Sequence, residues 1–129
     1  MLLITLRILI GISGLLGVLA ALAFLAVPEQ AALRLGVVAT GALGIATVRA
    51  DFPALFGVCG LFALAAAWKN RLQLLTTPLL IVGIALCGRC ISYIIMGGGT
   101  AAVPPMMVEA VTCLLYGAGC RRLASNERR

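Results

Sequence analysis

Long apolar runs, separated by short polar or glycine- and proline-rich breaks, dominate the sequence. Each run approaches the roughly 20 residues that a helix needs to cross a bilayer. The breaks carry helix-ending signals, such as Pro28 after the first run and three consecutive glycines after the third. The pattern therefore predicts an all-α integral membrane four-helix bundle, organised as a single transmembrane domain. Its predicted spans are residues 2–27, 51–68, 73–96 and 104–120.

Residues 31–48, between the first two spans, are predicted to form an outer segment rather than a fifth span. They are largely apolar but contain Arg34 and three glycines. Asp51 is a residue type that caps helices and Pro53 suits a first helical turn, so the second span is expected to begin near Asp51. The outer segment would lie in the membrane interface or be partly re-entrant. In the second case protein must shield it, because lipid cannot satisfy a free backbone.

The composition narrows the range of functions. Hydrophobic residues make up 63% of the chain and charged residues 11%, whereas soluble domains are about 45–50% apolar and about 25% charged. These values exclude a disordered chain and an appended soluble catalytic domain. The chain has no histidine, which excludes a Ser-His-Asp triad, a histidine-ligated haem and a histidine-based zinc site. No catalytic residue, cofactor or metal site is predicted, and an enzymatic function is disfavoured.

The basic residues predict the orientation of the chain in the membrane. The net charge of +6 is explained by basic loops that stay in the cytoplasm, so nucleic acid is not an expected partner. With four spans both termini are cytoplasmic, Arg7 lies on the cytoplasmic side, residues 121–129 form a cytoplasmic tail, and the uncharged loop at 97–103 is outside. The basic residues assigned to the cytoplasm are Lys69, Arg71, Arg121, Arg122, Arg128 and Arg129.

Four charged residues lie away from this cytoplasmic side: Arg49, Asp51, Arg89 and Glu109. At 1.5 Å per residue, Arg89 lies about 10 Å and Glu109 about 6 Å below the outer boundary. An isolated charge at the centre of a membrane helix costs roughly 2.5–3.5 kcal/mol, so such residues usually pair or face a cavity. Two interpretations stay open, namely an outward-opening polar pocket and a neutral ion-pair network.

Two neighbouring observations refine this site. Arg89 and Glu109 lie on helices joined by a short loop, so we predict that they pair as antiparallel neighbours. Tyr93 follows Arg89 by four residues and lies on the same helical face. We favour a role in anchoring the helix at the membrane interface, and the alternative is a hydrogen bond donated into the polar pocket.

Cys87 and Cys90 form a C-x-x-C motif, which can indicate thiol redox chemistry. This motif, however, lies inside a predicted membrane helix, whereas redox motifs normally open a helix beside a sheet. Side chains three residues apart on a helix have Cβ atoms about 5–6 Å apart, and a disulfide needs about 3.5–4.5 Å. We therefore favour a packing role and expect both thiols to stay reduced.

Small residues recur along the first two spans and permit close helix contact. They serve either packing within the bundle, which we favour, or an oligomer interface. The glycines concerned are Gly11, Gly14, Gly17, Gly57 and Gly60.

Several of these motifs together resemble a bacterial family of four-helix inner-membrane proteins known as domain of unknown function 4345, itself distantly similar to DoxX-type membrane proteins. The motifs are residues 48–52 (Val-Arg-Ala-Asp-Phe), Gly57 and Gly60 after them, the Gly88-Arg89 pair, the glycine turn and Glu109. The resemblance implies a bacterial inner-membrane location, four spans, an outer segment and no known activity. Members of the family often have Asp-Gly after the third span, where this chain has a run of three glycines at 97–99.

The leading hypothesis for function is non-covalent binding or passage of a small lipidic or polar ligand at an outer-half pocket. The first alternative is an accessory subunit that stabilises a larger membrane complex. The second is a thiol or quinone oxidoreductase that uses Cys87 and Cys90. The expected partners are the lipid bilayer, a bound lipid or small ligand, and either further copies of the chain or a larger membrane complex.

Overall fold

The computed structural model describes residues 2–69, 71–97 and 99–126, and these residues form an all-helical structure with no strand among them. Short 3-10 turns at Leu72–Leu75 and Thr100–Ala102 precede the last two helices. The helices are α1 (Leu2–Ala26), α2 (Pro28–Arg34), α3 (Gly41–Lys69), α4 (Thr76–Met96) and α5 (Val103–Asn126).

Four segments in the described part of the chain are long and apolar enough to cross a membrane. They agree with an all-helical membrane protein and with the number of spans expected from the apolar runs. Their bounds are Leu3–Ala26, Gly41–Lys69, Gln73–Met96 and Val103–Arg121.

The largest departure from the sequence prediction is the start of α3. The helix begins at Gly41 and continues through Pro53, so the prediction of a helix that starts near Asp51 was wrong. Pro53 is buried inside the helix and has no N–H to donate to the carbonyl of Arg49. The turns before the proline are held by packing, because Val48 is buried against Phe24. Tertiary contacts of this kind override local helix-start signals.

The segment at residues 31–48 therefore contains no separate helix of spanning length. Its first part belongs to α2 and its last part to α3, and residues 35–40 connect the two. Gly41 has φ +66°, a left-handed conformation that glycine adopts without strain and that ends the connection.

The ends of the last two helices also differ slightly from the expected ones. Helix α4 stops at Gly97, which has φ +63° and donates its N–H to the Tyr93 carbonyl, so the glycine run ends a helix as predicted. Helix α5 continues to Asn126, so the first part of the predicted tail at 121–129 is helical. Residues 127–129 lie outside the described part of the chain.

Helices α1 and α3 cross in close contact at a pair of glycines. A Cβ atom on Gly60 would lie 2.6 Å from the Val18 backbone nitrogen and 2.7 Å from the Gly14 carbonyl oxygen. A Cβ atom on Gly14 would lie 2.8 Å from the Gly60 carbonyl oxygen. Only glycine fits at either position, so the small-residue faces of α1 and α3 pack against each other, as favoured from the sequence.

One end of the molecule, called here the Arg7 end, contains the start of α1 and the end of α3. Arg7 donates two hydrogen bonds to the Ala67 carbonyl, at 3.0 Å from Nε and 2.8 Å from a terminal nitrogen, and a longer one to the Trp68 carbonyl. The last carbonyls of a helix lack helical partners and carry partial negative charge. The guanidinium therefore caps α3 and joins it to α1.

A buried apolar cluster at the Arg7 end contains residues of α1, α3 and α5 and of the turn just before α4. Tyr116 of α5 and Leu75, just before α4, are buried in this cluster together with Ile10 of α1 and Ala63 and Ala66 of α3. This cluster joins the α4–α5 pair to the α1–α3 pair.

The opposite end, called here the glycine-loop end, has a cluster made only from the first three helices. The Phe24 ring stacks on Phe52, with ring centroids 4.8 Å apart, and on Phe56, with centroids 5.5 Å apart. Ala32 and Val48 are buried beside them. In the described chain after residue 71, the buried side chains and glycines all lie toward the Arg7 end, at Leu75, Pro78, Tyr116 and Gly119. Toward the glycine-loop end, α4 and α5 therefore pack mainly on each other.

Candidate functional site

Arg89 on α4 and Glu109 on α5 form an ion pair, with 2.7 Å between Nε and Oε1. The two helices are consecutive and antiparallel, and the short loop between them sets both residues at similar depths. The Glu109 side chain is 16% exposed and the Arg89 side chain 38%. This contact is the pairing expected from the sequence.

The ion pair uses only part of the hydrogen-bonding capacity of each partner. Glu109 Oε2 is buried and has no hydrogen-bond partner in the described structure. Only Nε of Arg89 makes a hydrogen bond within that part of the chain. A guanidinium has five N–H donors and often binds a carboxylate with two of them. The single contact leaves the four terminal N–H groups of Arg89 available.

The Arg89 side chain lines an open groove of about 540 Å³ along α4, which Met96 and Ala102 border at the glycine-loop end. Ala85 and Gly88 form its side toward the middle of the helix, and their small size lets another molecule approach the backbone. Ser92 and Tyr93 supply hydroxyl groups nearer the glycine-loop end. The groove is therefore apolar along its length, with polar groups gathered around Arg89.

Arg49 and Asp51 do not join this site. Both side chains are exposed on α3, and neither makes a hydrogen bond or an ion pair within the described residues. Residues two apart on a helix are rotated by about 200° about its axis and therefore point to nearly opposite sides. Arg49 and Asp51 thus cannot present one polar face. None of the described side chains of α4 and α5 toward this end is buried. Of the four charges expected to converge, the structure brings two together.

Cys87 and Cys90 are both free thiols on α4, with Cys87 exposed and Cys90 half-buried. Their places on a continuous helix match the expected spacing. No group of three histidine, cysteine or acidic residues in the described chain could hold a metal ion. That both thiols stay reduced in the purified protein stays a prediction.

Two structural roles were missed by reasoning from the sequence. Arg7 was used only to orient the chain, yet it caps α3. Tyr116 was not singled out, yet it is buried and its hydroxyl lies 3.0 Å from Ser13 Oγ. The sequence did indicate that both residues have a polar partner, because an arginine or a tyrosine inside an apolar span needs one. The identity of that partner was not available from the pattern.

The fold and the apolar helices together define the class as a helical membrane protein. No protein-family model, curated protein or solved structure matches the chain. The resemblance to the four-helix family named above therefore stays a prediction.

Proposed function

We propose that this chain is a multi-pass protein of the bacterial inner membrane that binds or passes a lipidic ligand, without covalent chemistry, at the groove beside Arg89. Both termini lie in the cytoplasm, and the groove opens in the outer half of the bilayer. The orientation is supported by the Arg7 end, where Arg7 meets the last turn of α3. Lys69 ends α3, Arg71 follows two residues later, and Arg121 lies in the last turns of α5. Basic residues concentrate on the cytoplasmic side of membrane proteins.

The length of α3 supports an interfacial outer segment in place of a re-entrant one. Its 29 residues extend about 43 Å at 1.5 Å per residue, and the hydrocarbon core is about 30 Å thick. About 20 residues counted back from Lys69 reach Ala50. Arg49 and Asp51 then lie in the head-group region, where water can solvate them, which fits their lack of ion pairs. Helix α2 and the first turns of α3 lie above the hydrocarbon.

The observation that carries the proposal is the unused donor capacity of Arg89 within the outer half of the membrane. Polar groups without partners in hydrocarbon cost several kcal/mol each. Glu109 neutralises the charge but takes up only Nε. A ligand with acceptor oxygens would satisfy the remaining donors. The small side chains of Ala85 and Gly88 leave room for its apolar part along α4.

Filling the groove tests the proposal with a matched control on the same helix. A Cβ atom at Gly88 or at Gly83 meets nothing within 4 Å, but only Gly88 lines the groove. Native mass spectrometry in detergent, with added phosphatidylglycerol and phosphatidylethanolamine as probes, measures the lipid retained. We expect one retained lipid in the wild type and in Gly83→Leu, and about tenfold weaker retention in Gly88→Leu, equivalent to about 1.4 kcal/mol. Equal retention in both variants would contradict the proposal.

A further inference from the structure

The polar groups that line the groove are available as hydrogen-bond donors and share one face of α4. Arg89, Ser92 and Tyr93 are spaced at i, i+3 and i+4, the positions that lie together on a helix. The hydroxyls of Ser92 and Tyr93 make no hydrogen bond within residues 2–69, 71–97 and 99–126. Ser92 differs in this from Ser13, Thr47 and Thr112, whose hydroxyls donate to a carbonyl three or four residues earlier.

Glu109, the carboxylate paired with Arg89, does not offer its oxygens to the groove. Oε1 of Glu109 is occupied by Arg89 Nε, and Oε2 is buried. Glu109 does not line the groove. The ion pair is thus a dipole whose positive end faces the groove while its negative end lies behind it, toward α5. A ligand that offers acceptor oxygens complements this arrangement, whereas a cationic ligand does not.

We propose that the polar part of the ligand is the phosphate of a phospholipid head group, bound by the terminal N–H groups of Arg89 together with the hydroxyls of Ser92 and Tyr93. This inference rests on the proposed function and specifies its ligand class. The three donors extend over about 6 Å of helix at 1.5 Å per residue. A phosphodiester offers four oxygens in a tetrahedral arrangement, so it can accept from donors that approach from different directions, whereas the two oxygens of a carboxylate lie in one plane. Charge-assisted hydrogen bonds from a guanidinium to phosphate are among the strong ones.

The surroundings of the donors favour a lipid over free phosphate as the source of that group. Ser92 and Tyr93 lie on the outer side of Arg89, toward the head-group region. Ala85 and Gly88 lie on its inner side and leave an apolar path along α4. A phospholipid with its phosphate at Arg89 would direct an acyl chain along this path, and inorganic phosphate would leave it empty.

The experiment measures binding to the purified full chain in detergent with three named probes. Phosphatidylglycerol carries the phosphate and the acyl chains, diacylglycerol with the same chains lacks the phosphate, and inorganic phosphate lacks the chains. We expect phosphatidylglycerol to bind at least about a hundredfold tighter than diacylglycerol, and millimolar inorganic phosphate not to compete. Ser92→Ala and Tyr93→Phe should each weaken phosphatidylglycerol binding about fivefold, the loss of about one hydrogen bond.

Variants at Arg89 complete the test. Arg89→Gln could destabilise the fold by leaving Glu109 without its partner, so the double variant Arg89→Gln/Glu109→Gln is measured beside it. In both variants the preference for phosphatidylglycerol over diacylglycerol should fall by about fivefold or more from that of the wild type. Arg49→Gln removes an exposed arginine outside the groove and should keep the wild-type preference.

The outcomes separate the two proposals. Equal binding of phosphatidylglycerol and diacylglycerol to the wild type, with both lost in Gly88→Leu, overturns the phosphate inference and leaves the lipid groove standing. Competition by inorganic phosphate overturns the lipid as the source of the phosphate. If neither lipid is retained by the wild type, both proposals fail.

Discussion

The hydroxyls of Ser13 on α1 and Tyr116 on α5 lie 3.0 Å apart. Ser13 uses its single proton to donate to the Ile10 carbonyl at 2.8 Å, so Tyr116 is the donor between the two hydroxyls. The contact joins the α4–α5 pair to the α1–α3 pair within the buried cluster at the Arg7 end.

Replacing this tyrosine should weaken the connection between the two helix pairs. Tyr116→Phe keeps the buried ring and removes the donor, and we expect a loss of about 0.5–1.5 kcal/mol in the free energy of unfolding. Denaturant titration in detergent micelles, without added lipid, measures this value. Tyr93→Phe is the control, because Tyr93 is 40% exposed and its hydroxyl has no partner in the described structure. An equal loss in both variants would contradict the assigned role of Tyr116.

The glycine crossing predicts a strong difference between two Gly→Ala substitutions. In Gly60→Ala the new methyl group would overlap the backbone of α1, and overpacking of this kind costs about 1–3 kcal/mol or more. In Gly83→Ala the methyl group meets nothing within 4 Å, and the higher helix propensity of alanine should leave stability equal or raised by up to about 1 kcal/mol. Thermal unfolding in detergent compares the two. If Gly60→Ala is as stable as the wild type, α1 and α3 do not cross as closely as described.

The Arg89–Glu109 ion pair predicts non-additive mutations. Arg89→Ala and Glu109→Ala should each lower stability, by a value between the roughly 1 kcal/mol of an exposed pair and the roughly 3–5 kcal/mol of a buried one. The double variant should lose less than the sum of the two, because it leaves no charge without a partner. A double-mutant cycle of thermal stability in detergent gives the coupling energy. Strictly additive losses would contradict a stabilising pair.

The orientation proposed for the chain predicts where single cysteines can be labelled. In a background without the native cysteines, Ala39→Cys and Ala102→Cys should react with an impermeant thiol reagent added to intact cells. Ser125→Cys should react only after the cells are opened. Labelling of Ala39→Cys only from the cytoplasmic side would overturn the proposed orientation, and Arg49→Cys on the same outer side provides a second position.

The sequence by itself determined the class of fold, the number of long apolar helices and their approximate limits, except for the start of α3. Hydrophobic content is a local property that accumulates along about 20 residues, so it can be read without knowledge of the packing. The contact between Arg89 and Glu109 could also be predicted from the sequence. A short loop and a constant helical rise fix the relative depths of residues on two consecutive helices.

Only the tertiary structure decided which residues meet across helices that are distant in the sequence. Helix α3 begins at Gly41 because Phe24 and α2 pack against its first turns, and no local signal encodes that packing. Arg49 and Asp51 stay apart from Arg89 because the α4–α5 pair is joined to the other helices toward the Arg7 end. Tyr116 contacts Ser13, and Arg7 contacts the last turn of α3. Both contacts depend on the angles between whole helices and on the volumes of the side chains packed between them. Those quantities arise only when the helices are assembled.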